Sequence, residues 1–138
     1  MASNATSGFV LSHTILAFDF GEKRIGVAVG NTFLRQAQPL KTILNKGADP
    51  TFASIQQLVK EWDAKLCVVG LPRHPDGNAH EMTKKATRFG NQLHGRLNIP
   101  VVWIDERYTS AVAGDQSGDI DGQAAVMILE QYFAENQN

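Results

Sequence analysis

The sequence has one cysteine, no long apolar run and no excess of charge of either sign. Each shortage excludes something. A single thiol, Cys67, cannot form an internal disulfide, and its place in the apolar run LCVVG predicts a buried, reduced side chain. No run approaches the length of a membrane span, and MASNATSGFVLSH lacks the charged start and long apolar stretch of a signal peptide. The expectation is a cytoplasmic protein with no membrane partner. Thirteen Lys and Arg against fourteen Asp and Glu give a formal charge of -1, so a basic surface for nucleic acid must be local. What is present is a core: 138 residues, 43% of them hydrophobic, suit one compact domain and leave no room for a second. Residues 1–12 read as a flexible N-terminal segment and 13–135 as the domain. There are no repeats or low-complexity tracts.

Alternation and punctuation predict strands over His13–Phe20, Arg24–Gly30 and Ala37–Leu44, three antiparallel strands in succession. Asp49-Pro50 then offers an N-cap and a first-turn proline to a helix with Phe52, Ile55, Val59 and Trp62 on its apolar side. Leu66–Leu71 reads as a strand buried on both faces, followed by the loop RHPDGN. From Ala79 to Leu97 a second helix is marked by Met82, Ala86, Phe89, Leu93 and Leu97. Its polar side carries Lys84, Lys85, Arg88 and Arg96, either a solvated face or a track for phosphates. The strand VVWID and a last helix striped by Ala124, Ala125, Ile128, Leu129, Tyr132 and Phe133 complete an α/β domain with a mixed five-stranded sheet and flanking helices.

Acids recur at element ends. Asp19 closes the first strand, Asp105 and Glu106 close the last, and Asp121 opens the final helix. In a mixed α/β sheet such ends meet at one edge, where sites commonly lie. Carboxylates held together repel, and a hard divalent cation such as Mg²⁺ or Mn²⁺ relieves the repulsion. Two such ions, about 3.5–4 Å apart, activate a water and stabilise a leaving oxygen in phosphodiester hydrolysis. Spacing alone does not separate this from a plainer reading, in which Asp19 is a turn residue, Asp121 an N-cap and the DER triplet a surface ion pair.

DFGEKRIGVAVG, VVGLPRHPDG, DERYTS and DGQAAVMILEQYF, taken in order from Ile15 to Phe133, resemble the four motif blocks of the YqgF (RuvX) family. The resemblance implies a ribonuclease H-like fold and a metal-dependent nuclease, related to Holliday junction resolvases and implicated in maturing the 5′ end of the small-subunit (16S) ribosomal RNA precursor. By position, Asp19, Glu106 and Asp121 match the catalytic metal ligands, with Asp105 as the alternative to Glu106. Adjacent residues of a strand face opposite ways, so one of that pair is expected at the metal. Arg107, Thr109 and Ser110 become candidates for phosphate contacts, and Arg24 and Arg73 join Lys84, Lys85 and Arg88 as a nucleic-acid track.

One segment departs from the family. AVAGDQSGDI is short and has no Lys or Arg where the family usually carries a longer helical segment and a basic loop. That bears on substrate grip more than on metal binding. No self-complementary patch is visible, so a monomer acting on a single-stranded ribosomal RNA precursor is expected, with branched DNA as the alternative substrate. A noncatalytic nucleic-acid-binding module would not need the acids, all of which are present. An actin-like ATP-binding protein would need a second domain.

Overall fold

The structure, a computed structural model, describes residues 13–72, 81–105 and 120–136, with the backbone alone for 120–122. Its elements run β1 (Thr14–Asp19), β2 (Arg24–Asn31), β3 (Gln36–Leu44), α1 (Ala48–Trp62), β4 (Ala64–Leu71), α2 (Glu81–Leu97), β5 (Val101–Asp105) and α3 (Ile120–Glu135). The sheet order is β3-β2-β1-β4-β5. β1, β2 and β3 pair antiparallel, whereas β1, β4 and β5 are mutually parallel. The C-terminal ends of β1, β4 and β5 therefore share one edge of the sheet, and Asp19, Leu71 and Asp105 sit along it.

Side-chain alternation divides the core between two faces. Leu16 and Phe18 of β1, with Ile25, Val27 and Val29 of β2 and Cys67 and Val69 of β4, pack under α1 and α2. Ile15, Ala17, Ala28, Val68 and Ile104 pack under α3. β4 contributes buried residues to both layers, which is why it reads as a continuous apolar run. The β2–β3 hairpin takes one register shift, between Val27 and Ala28, where Lys41 and Pro39 are the successive partners. β3 is an edge strand, the place where a proline inside a sheet is tolerated.

Two sequence expectations for α1 are corrected. Its N-cap is Gly47, at φ 103°, and no side chain caps it. The left-handed glycine turns the chain into the helix two residues early, so Asp49 falls inside the first turn and pairs with Arg96 of α2 at 3.1 Å. The entry is tied instead by Thr51, whose hydroxyl accepts from the Lys46 backbone N–H and donates to Asn45 Oδ1. The buried stripe of α1 is Thr51, Phe52, Ile55 and Leu58. Trp62 is 38% exposed and borders a cavity of about 250 Å³ with Thr14, Asn31 and Leu34, at the end of the sheet away from Asp19. The expected stripe of α3 is buried or packs against the layer beneath it. In α2 the expected positions Ala86, Phe89 and Leu93 are buried, Leu97 packs at the margin and Met82 is in neither core layer, while α2 also buries Thr83 and Gly90. Gly90 is needed there because a Cβ would stand 2.7 Å from the Trp103 ring. No helix among the described residues is long and apolar enough to cross a membrane.

Candidate functional site

Asp19 is the sixth and last residue of β1 and is half-buried. It shares the parity of Ile15 and Ala17, so it belongs to the face that α3 covers. The turn after it is narrow: a Cβ on Gly21 would run into the Arg24 carbonyl oxygen. That turn leads into β2, where Gly26 is Asp19's partner across the ladder. Arg24, two residues before Gly26 and exposed, has the same parity and so lies on Asp19's side of the sheet, just beyond the acid.

The start of α3 reaches the same edge. Leu129 and Phe133 pack on Gly30, the partner of Ile15, and the Arg35 guanidinium donates at 2.9 Å to the carbonyls of Phe133 and Asn136. The C-terminal end of α3 is thereby fixed at the start of β1. From Leu129 back to Asp121 the helix rises about 12 Å, and from Ile15 on to Asp19 the strand rises about 13 Å. The matching lengths bring the first turn of α3 level with the end of β1.

β5 fixes the face of the first of the two adjacent acids. Trp103 belongs to the α1–α2 layer and Ile104 to the α3 layer. Asp105, half-buried, therefore has the parity of the α1–α2 layer, opposite to Asp19. The next position of Ile104's parity is 106. Glu106, like Arg73, Arg107, Thr109 and Ser110, lies outside the described residues, as does the Asp121 side chain. Among the described residues no three His, Cys, Asp or Glu side chains gather as a metal site.

Basic residues of α2 lie near this edge as well. The Thr83 hydroxyl donates to the Pro72 carbonyl, anchoring the first turn of α2 beside the end of β4. Lys84 and Arg88 are exposed one helical turn apart. Lys85 is engaged by Glu22, in the turn after β1, and each holds the other in its charged form: the Glu22 carboxyl is lowered and the Lys85 ammonium raised. Arg96 lies at the far end of α2, against Asp49 and 4.9 Å over the Phe52 ring. Sequence reading missed Glu22. Its partner is 63 residues away, and no local pattern announces so distant a pair.

A mixed five-stranded sheet in the order β3-β2-β1-β4-β5, with helices on both faces, is a ribonuclease H-like fold. The comparisons agree. The family model described as RuvX, Holliday junction resolvase, matches residues 13–135. A protein of Polynucleobacter necessarius is 55% identical over 125 residues, covering 88% of this chain and 85% of its own. One of Ralstonia pickettii is 51% identical over 138 residues, covering 98% and 96%. Both carry the provisional name pre-16S rRNA nuclease. Among solved structures, Thermus thermophilus RuvC in complex with a Holliday junction superposes with a TM-score of 0.60 over 91% of this chain and 96% of that one, at 10% identity, which shows a shared fold. The class is thus a nuclease, a hydrolase of phosphodiester bonds. Within that class, the chain belongs to the RuvX family.

Proposed function

We propose that this nuclease, with residues 13–135 as its single domain, matures the 5′ end of the 16S ribosomal RNA precursor by metal-dependent hydrolysis. The names of the relatives support the substrate, and one geometric observation carries the site: Asp19 has the parity of the α3 face, and the first turn of α3 is level with it. Asp19, Glu106 and Asp121 are the proposed ligands for Mg²⁺ or Mn²⁺, two ions in the full site. The donor set fits, since carboxylate oxygens suit hard cations. The parity of Asp105, shared with Trp103, supports Glu106 over its neighbour. Bound there, the metal supplies an activated water and charge stabilisation at the phosphate.

The chain's own groups orient the strand. Arg24 lies on Asp19's side, and Lys84 and Arg88 flank the edge from α2. Arg73, Arg107 and Thr109 are proposed to extend this grip, and Lys85 acts from within its pair with Glu22. The protein acts as a monomer on single-stranded RNA in the cytoplasm. The second reading, junction resolution, is favoured by the description of the matching family and requires two sites in a two-fold dimer.

The test is cleavage of precursor RNA and of a four-way junction with Mg²⁺ or Mn²⁺, comparing wild type with Asp19→Asn, alongside sedimentation. The expected result is a monomer that cuts the RNA, with the rate reduced at least about a hundredfold by the substitution, on the scale of losing one electrostatic stabiliser of a transition state. A stable dimer that nicks the junction in symmetric pairs and spares the RNA would select the second reading.

A further inference from the structure

Phe20 follows Asp19 but faces the other way. It joins the α1–α2 layer at its margin, half-buried, with its ring centroid 5.0 Å from that of Phe89. Phe52 stacks on the other flank of the same cluster, 5.6 Å from Phe89. These three rings floor a cavity of about 230 Å³ between the start of α1 and the first half of α2, with Lys85, Arg88 and Gln92 on its α2 side. The wall is braced by the Lys85–Glu22 pair, which joins α2 to the turn after β1.

The geometry points to this cavity as a base-binding subsite for the single strand that crosses the cleavage edge. Four observations select that occupant. Phe20, half-buried, lines the cavity with its ring, and stacking on an aromatic ring is open to every nucleobase. Arg88, without an ion-pair partner among the described residues, supplies positive charge for the phosphate of the same nucleotide, and the Gln92 amide offers both a donor and an acceptor to a base edge. The cavity is smaller than the usual range for drug-sized ligands, about 300–1,000 Å³, and suits one planar ring system. Because Asp19 ends β1 with the parity of the α3 face and Phe20, just after it, packs on the α1–α2 layer, a strand passing the sheet end meets the acid on one side and the ring on the other. The inference rests on the nuclease reading and adds to it a grip on a base near the cut, independent of the metal.

The experiment separates the two. Binding of a short fluorescein-labelled single-stranded RNA is followed by anisotropy in excess EDTA, where no cleavage occurs, with a series of strands each lacking one base. Wild type is expected to lose affinity when one particular base is removed. Phe20→Leu, which keeps the apolar floor but not the ring, is expected to bind the complete strand about tenfold more weakly, within the range for one stacked base. It should also be indifferent to that missing base. Asp19→Asn is expected to bind no more weakly than wild type and to leave the RNA uncut when Mg²⁺ is present. Wild-type binding that ignores every missing base, or Phe20→Leu binding with unchanged affinity, overturns the subsite and leaves the nuclease reading in place. Cutting by Asp19→Asn at the wild-type rate overturns the nuclease site whatever Phe20 does.

Discussion

Cys67 is a residue whose chemistry is set by its surroundings. Its apolar neighbours in LCVVG point to burial, and the side chain is fully buried in the α1–α2 layer. Burial pushes the thiol pKa up from 9.0 to about 12, because a thiolate there would lose its hydration. Between those values the unfolded chain releases a proton that the folded chain keeps, so stability is unaffected below pH 9 and falls as pH rises from 9 towards 12. The thiol's share of the slope approaches about 1.4 kcal/mol per pH unit. Denaturant unfolding of wild type and Cys67→Ala at a series of alkaline pH values is expected to show the steeper decline in wild type alone; equal slopes would mean that the thiol ionises freely in the fold. Asp49 shows the opposite case. Asp-Pro before an apolar run is a fair helix-start signal, but Gly47's access to positive φ moved the start, and Arg96 in another helix claimed the acid. Neither influence is visible in the local window.

At the scale of elements, the contact of α2 with β5 depends on the absence of a side chain. Gly90→Ala would place a methyl group 2.7 Å from the Trp103 ring, which is held in the layer under α2. Alanine favours an exposed helix by about 1 kcal/mol over glycine, but overpacking of this kind costs about 1–3 kcal/mol. The expected result is a lower midpoint of urea unfolding with an unchanged slope; a raised midpoint would mean that the indole moves aside without cost. The periodicity of α2 was legible from Met82 to Leu97, yet Gly90 was not identified as buried, because its role is set by a tryptophan on another element. The same helix carries a second expectation. Lys84 and Arg88 are exposed on α2 near the end of β1, so if that face carries RNA, replacing both by glutamine is expected to reduce the salt slope of single-stranded RNA binding by about 1.4, at roughly 0.7 per phosphate contact. An unchanged slope would assign these cations to solvation. Lys85 is left out of this pair because Glu22 already engages it.

For the whole molecule, topology brings the ends of separate elements to one edge. Parallel pairing of β1, β4 and β5 aligns the strand ends, and antiparallel packing of α3 on β1 brings residue 121 back level with residue 19. Strand order and helix direction were readable only in outline, since alternation marks a strand without naming its partner. The acids were legible earlier, because each falls where an apolar pattern stops or starts. The faces of Asp19 and Asp105 were not, and side-chain parity decided them: Asp19 with Ala17, Asp105 with Trp103. The central claim, one divalent-metal site shared by Asp19, Glu106 and Asp121, is tested most directly by titrating Mn²⁺ into isotope-labelled protein and following paramagnetic broadening of its amide signals. The account predicts that signals of residues 19–21, 106 and 121 broaden together at the same Mn²⁺ concentration, while Thr14 and the β2–β3 turn stay sharp. Broadening around Asp19 that leaves residue 121 untouched would contradict it.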